Sequence, residues 1–303
     1  MEKRVLIIHY SQTGQLSEIA NKFCSGLESG SIKVDQLKVE AVPDFPYPWN
    51  RLAFFNTFPE SVFGIPMPIK TSENDEAADY DLIVLAYTVW YMAPSIPINS
   101  FLQSDKAKAL LKGKKVVTLI GARNMWVVAH ERMKGILKGL NAKLIGNIAL
   151  VDRNPNLISI VTIIRWMFYG KKNPFWGFPR AGILQKDIDG ASKFGEIVEQ
   201  VLVEDQTETL NDQLLESGAV NIDPALLILE KRASKIFKHY GNFIRAKGEY
   251  NDKARLGRVS LLSYLIPTGA LILSPITTIA SYIISKVKKK EVEAEIERLK
   301  QCD

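Results

Sequence analysis

The chain opens on an apolar run, "RVLIIHY" (4–10), and similar runs recur at "IKVDQLKV" (32–39), "YDLIVLAY" (80–87), "KKVVTLIG" (114–121) and "AKLIGNIALV" (142–151). Four of the five are almost unbroken in apolar side chains, as strands buried on both faces are. Apolar positions take helical spacing in "SEIANKFCSGL" (17–27), "SIPINSFLQSDKAKALL" (95–111), "MWVVAHERMKGILKGL" (125–140) and "DIDGASKFGEIVEQVL" (187–202). Strands alternating with helices predict an α/β fold, a doubly wound parallel sheet covered by helices on both faces. Five strands suit the order 2-1-3-4-5.

Two long segments interrupt that pattern. Residues 40–79 contain "PDFPYPWNRLAFFNTFPESVFGIPMP", and residues 152–186 contain "LISIVTIIRWMFYGKKNPFWGFP". Both follow a strand and so leave the carboxyl edge of the sheet, where such folds bind ligands. All five tryptophans, Trp49, Trp90, Trp126, Trp166 and Trp176, follow strand ends and are expected to crowd that edge. Beyond residue 203 no strand pattern appears, so the chain is read as a domain over 1–203 and a helical extension over 204–303. In the extension, residues 223–247 form a basic amphipathic helix with Asp223 as cap and Pro224 at its first position. Residues 259–285 carry no charge and measure ~40 Å as one helix. Pro267 and Pro275 favour a re-entrant hairpin with basic flanks on one side. A soluble helical hairpin packed on the domain, or on a homodimer mate, is the alternative.

Composition changes this picture little. The chain has 303 residues, 47% apolar and 24% charged, which excludes disorder. Its net charge of +6 is compatible with an anionic ligand, nucleic acid or an acidic lipid surface. Cys24 and Cys302 form neither a disulfide framework nor a metal pattern, and the first apolar run is too short for a signal peptide. A cytoplasmic protein is expected, peripheral or monotopic on the membrane if 259–285 engages lipid.

Candidate chemistry begins at "YSQTGQLSEI", where the first strand breaks into a loop and a helix. The loop has no lysine for a nucleoside-triphosphate site and only Gly14 where a dinucleotide fingerprint needs three glycines. Ser11, Gln12, Thr13, Gly14, Gln15 and Leu16 offer hydroxyls and free N–H groups at a helix N-terminus, suited to one terminal phosphate.

Here the residues resemble a family. "YSQTGQ" is similar to the phosphate loop of flavodoxins and FMN-dependent oxidoreductases, with Leu16 where a third hydroxyl is common. "YTVWYMAPSIPINSFLQ" (87–103) resembles their first flavin loop, with Thr88 in place of a proline and Met92 in place of a glycine. "GARNMW" (121–126) falls where they have their second. The resemblance implies a flavodoxin-like fold and FMN, held by the phosphate loop, by Val89, Trp90, Tyr91 and Met92, and by Gly121, Ala122, Arg123 and Asn124. A wider resemblance, in "NTFPESVFGIP", "TLIGARNMW" and "NLISIVTIIRWMFYGKK", is to bacterial dialkylresorcinol condensing enzymes of aryl-lipid pigment biosynthesis, which work beside a ketosynthase. Neither cysteine looks activated for a condensation. FMN chemistry instead suits aromatisation of an apolar, lipid-like cyclohexanedione, with Tyr91, His130 or Asp152 taking a proton and Arg123 steadying reduced flavin. The alternatives are an NAD(P)H-dependent quinone or flavin reductase and a membrane-tethered electron carrier. A small apolar partner is expected, and not nucleic acid.

Overall fold

In the computed structural model, which describes residues 2–27, 30, 32–73 and 79–302, the first apolar run is strand β1 (Lys3–His9). Its Val5, Leu6, Ile7 and Ile8 are fully buried, as a central parallel strand requires. The chain continues through α1 (Gln15–Ser25), β2 (Ile32–Ala41), α2 (Arg51–Asn56), α3 (Phe58–Phe63) and β3 (Ile69–Thr71). Residues 74–78 of the first insertion lie outside the described residues. Next come β4 (Leu82–Trp90), β5 (Ala93–Pro94), α4 (Ile96–Leu102), α5 (Asp105–Leu111), β6 (Lys115–Ala122), α6 (Val127–Gly139) and β7 (Lys143–Val151). The remainder is helical: α7 (Asn156–Tyr169), α8 (Gln185–Asp189), α9 (Ser192–Val203), α10 (Leu210–Glu216), α11 (Pro224–Arg245), α12 (Leu256–Val287) and α13 (Lys289–Lys300).

The parallel strands pair in the order β2-β1-β4-β6-β7, with β3 antiparallel on the β2 edge and β5 antiparallel to β4. This is the expected 2-1-3-4-5 order, a flavodoxin-like sheet with two short additions. Helix α1 buries Leu16, Ile19, Ala20, Phe23 and Cys24 on one stripe against it. The predicted helix 95–111 is split, because Ser104 turns the chain and caps α5 by accepting from Ala107 N (3.2 Å). The stretch 187–202 is likewise divided into α8 and α9.

Beyond the boundary expected at 203/204, α10 packs Leu210 and Leu214 fully buried against β7, and Ala149 N donates to Ala219 O (2.8 Å). One expectation about the extension is corrected. Residues 259–285 form no hairpin but lie within the single 32-residue α12, with Pro267 and Pro275 inside it. Proline's fixed φ is helical, so each costs one backbone hydrogen bond and some crowding rather than a reversal. Asp223 caps α11 as predicted, accepting from Leu226 N at 2.8 Å.

The extension is pinned to the first insertion by a buried ion pair. Arg255, fully buried before α12, donates to both carboxylate oxygens of Glu60 on α3 (2.9 and 2.8 Å) and to Asn56 Oδ1 (2.7 Å). Around it Phe55, Phe58, Val62, Ile244, Val259 and Leu262 form a second apolar cluster beside the main core.

Candidate functional site

The carboxyl ends of β1, β4 and β6 carry the three loops singled out in the sequence. After β1, Gly14 adopts φ 83°, ψ −20°, and no side chain among the described residues caps the first turn of α1. That left-handed turn is easy only for glycine. It leaves the first N–H groups of an 11-residue helix open to an anion. Ser11 Oγ is buried and has no hydrogen-bond partner among the described residues. Gln12 and Gln15 are engaged elsewhere: Gln12 Oε1 accepts from Trp49 Nε1 (2.9 Å), and Gln15 Oε1 accepts from Ile183 N (3.4 Å). Their side chains fasten the loop to the two insertions. Leu16 is 1% exposed and its side chain is apolar, so its backbone N–H is the only hydrogen-bond donor this position offers a ligand.

After β4 the chain reverses in a two-residue hairpin, Val89 opposite Pro94 and Trp90 opposite Ala93. The turn residues Tyr91 and Met92 have φ of 49° and 64°. Hairpins this tight favour Asn-Gly or Gly because both positions are left-handed. Tyr91 and Met92 hold that conformation against roughly 1–2 kcal/mol of strain each. Packing fixes them there. Tyr91 sits among Phe54, Phe58 and Phe237, with ring centroids at 5.0, 4.6 and 6.4 Å. Trp90 meets Tyr10, Phe45 and Trp49 edge-on at 6.0, 5.2 and 5.8 Å.

At the end of β6, Gly121 packs under α1. A Cβ there would lie 3.1 Å from Leu16 Cδ1 and 3.3 Å from Ile19 Cδ1. Arg123 donates to Asn156 Oδ1 (2.8 Å). Burial lowers its pKa to about 10, against the opposing pull of Asp152 and Glu230, so it remains a cation. Glu230, on α11 and 1% exposed, accepts from Val128 N (2.8 Å) at the start of α6. Burial raises its pKa to about 7 despite these N–H groups and Arg123.

These loops open on one cavity of about 300 Å³. It brings together Gln12, Thr13, Gln15, Leu16, Val89, Trp90, Tyr91, Gly121, Ala122, Arg123 and Asp152 from the predicted set. Apart from Thr88 and Gly182, the rest of its wall is apolar: Ile19 from α1, Phe54 and Phe55 from α2, Ile163, Ile164, Trp166, Met167 and Phe168 from α7, and Pro267 from α12. The insertions also pack on each other, Trp49 N donating to Met167 O (2.8 Å) and Phe54 meeting Phe168 at 5.5 Å. They form a mini-core and a cavity wall at once.

Several predicted residues are not brought to this wall. His130 is 2% exposed, hydrogen-bonded to Tyr87 OH (3.3 Å), with its pKa pushed down to about 3 by burial and Lys134. It is a neutral core histidine, not a proton acceptor at the cavity. Tyr91 reaches the wall, but its hydroxyl donates to Phe54 O (3.1 Å) and burial holds its pKa well above the usual range. Proton removal by Tyr91 is therefore unsupported by its surroundings. Asp152 is on the wall; it accepts from Asn154 N (2.9 Å) and Ser159 Oγ (2.8 Å). Met92 lines a separate cavity with Arg132 and Lys238, and Asn124 donates to Asn156 Oδ1 (3.2 Å). Ser11 and Gly14 lie in the loop without lining the cavity. Nor do the five tryptophans share one place: Trp126 is buried against His130, and Trp176 is 94% exposed on a loop tip. Reasoning from sequence missed Glu230, which sits 102 residues from its partner Val128 with no local motif to mark it. It missed Pro267 as a wall residue for the same reason.

Fold and site together define a flavodoxin-like α/β protein whose strand-end cavity is roofed by its own insertions and extension. No protein-family model matches the chain, and no curated protein matches it in sequence. Solved structures of similar fold include a flavoprotein in complex with FMN from Lactobacillus acidophilus, 18% identical over 49% of this chain and 93% of that one (TM-score 0.40). Oxidised flavodoxin 1 from Bacillus cereus is 13% identical over 66% and 98% (TM-score 0.37). Trp repressor binding protein from Bacillus subtilis is 9% identical over 50% and 90% (TM-score 0.32).

Proposed function

We propose that the chain is an FMN-dependent oxidoreductase for a bulky apolar ring substrate, in particular the oxidation of a dialkyl cyclohexane-1,3-dione to the dialkylresorcinol. The observation that carries this reading is the single cavity where the uncapped α1 loop, the Trp90–Tyr91 hairpin and the Gly121–Arg123 loop meet an aromatic and aliphatic wall. The residues fit FMN. The unpartnered Ser11 Oγ, Thr13 and the open first turn of α1 would hold its phosphate, and Trp90, Gly121 and Ala122 would flank its ring.

FMN, when bound, supplies a two-electron hydride acceptor. Loss of a hydride and a proton from the dione gives the aromatic ring, and an external acceptor must reoxidise the cofactor. Arg123 keeps positive charge beside the site, which favours the anionic reduced form. Asp152 is the one carboxylate on the cavity wall among the described residues, and it is assigned the proton. The apolar wall excludes water and accommodates alkyl chains.

The test is anaerobic mixing of FMN-loaded protein with a dialkyl cyclohexane-1,3-dione, following flavin bleaching and resorcinol formation by mass spectrometry. Bleaching with the dione and not with NAD(P)H alone is the expected result. Rapid bleaching by NAD(P)H with no dione oxidation would make the protein a reductase. Bleaching only by a chemical reductant would make it an electron carrier.

A further inference from the structure

Helix α12 is inside out. Past Ser263 its buried positions are Ser274, Ser281 and Ser285, while Ile272, Ile276, Ile279, Tyr282 and Ile283 on the opposite side are 54–66% exposed. A helix facing water on that side would carry the reverse pattern. Between Leu256 and Val287 the only charges are Arg258 and Lys286, one near each end. Helix α7 repeats the inversion: Ser159, Thr162 and Trp166 are its buried residues, and its isoleucines are only partly covered. The two helices touch through Asn156 Nδ2 and Ser274 Oγ (3.3 Å). An exposed row of large apolar side chains such as that of α12 on a folded protein marks a docking face.

The attachments of α12 decide its orientation. Its start is held by Arg255 on Glu60 and by the Arg51 guanidinium 3.9 Å from the Tyr264 ring. Its middle is held by Asn156. The following helix returns to the domain, where Arg298 pairs with Glu131 (3.1 Å). A helix fastened along its length offers one side to its surroundings. Charge decides what covers that side. Lys286 and Lys290 have no ion pair among the described residues, whereas Lys288 and Lys289 pair with Glu291 and Glu293. Two copies joined through this face would set Arg258 and Lys286 against like charges in either orientation. Anionic lipid headgroups complement both ends.

We infer that the outward face of α12, flanked by α7, lies in the plane of an anionic bilayer surface, the helix resting on the membrane rather than crossing it. The docked face and the cavity share their wall, since Pro267 of α12 and Ile163 and Ile164 of α7 line it. A lipid-dissolved substrate therefore enters from the bilayer, a consequence that rests on the oxidoreductase reading; the docking itself does not.

Flotation of the full-length, FMN-loaded protein with vesicles tests this, comparing phosphatidylcholine alone with phosphatidylcholine plus phosphatidylglycerol. The protein should float with the anionic vesicles. The triple variant Ile272→Ser, Ile276→Ser, Ile279→Ser should lose flotation yet keep its melting temperature and flavin spectrum, because these side chains face outward. Lys286→Ala and Lys290→Ala should each weaken binding roughly fivefold. With Gly257→Cys and Val287→Cys, a membrane-impermeant thiol reagent added outside should label both introduced sites. Failure of the parent to float, or unchanged flotation of the triple variant, overturns docking. A lipid-free dimer that the triple variant dissociates assigns the face to a second copy and also overturns it. Labelling at one site only means a crossing helix and overturns the in-plane placement. Each readout is independent of catalysis, so failure here is distinguishable from failure of the oxidoreductase reading.

Discussion

Glu230→Gln isolates the contact through which the C-terminal extension reaches the loop after β6. The carboxylate of Glu230 lies at the N-terminus of α6, accepts from Val128 N at 2.8 Å and is 1% exposed. Helix N–H groups and Arg123 favour its charged form, but burial outweighs them and its pKa rises from 4.5 to about 7. The folded state therefore binds this proton more tightly than the unfolded chain. The stabilisation from protonated Glu230 is fully present below pH ~4.5 and is lost as pH rises through about 7. At 1.36 kcal/mol per unit, the wild type should be about 3 kcal/mol less stable from this group at pH 8.5 than at pH 4.5. Glutamine keeps an acceptor for Val128 N and removes the ionisation. The assay is urea unfolding of both proteins across that range, with free energies compared at each pH. The wild-type minus variant difference should fall by about 3 kcal/mol from acid to alkaline pH, most of it between the unfolded-state pKa of 4.5 and the folded-state value of about 7. A flat difference would refute burial-dominated electrostatics at this contact.

Other outcomes follow from separate contacts. Arg255→Ala removes the cation paired with Glu60, which is 2% exposed; it should cost about 3–5 kcal/mol and expose the 246–255 connection to limited proteolysis. Met92→Ile puts a β-branched residue at φ 64° and should lose about 1–2 kcal/mol in thermal melts, whereas Met92→Gly should change stability by less than ~1 kcal/mol because relieved strain offsets backbone entropy. Ser11→Ala removes the unpartnered buried hydroxyl and should weaken FMN binding by about 1–2 kcal/mol in fluorescence titration while leaving apoprotein stability unchanged or slightly raised.

The parallel sheet was legible in the sequence because strands buried on both faces, such as Val5–Ile8, must be apolar at every position. The α1 loop was legible because its chemistry is contiguous: hydroxyls, one glycine and a helix start within six residues. What escaped depends on contacts between distant segments. Whether Trp126 or Trp176 faces the cavity is settled by tertiary packing, and their sequence positions after strands are alike. His130 sits on a helix whose polar stretch suggested solvent, but that turn is covered by Tyr87 and Trp126. Two prolines suggested a reversal in 259–285. Their local cost of about 3 kcal/mol each is compatible with a continuous helix held at both ends by the domain. The apolar character of that segment was plain; that its serines would face inward was not.

The most direct test of the central claim is an FMN titration of the purified apoprotein, followed by flavin fluorescence and the visible absorption spectrum. Stoichiometric quenching, a shifted flavin absorption band, and binding that free riboflavin, lacking the phosphate, cannot match are the expected results. A protein that stays colourless and leaves FMN fluorescence unchanged would contradict that claim.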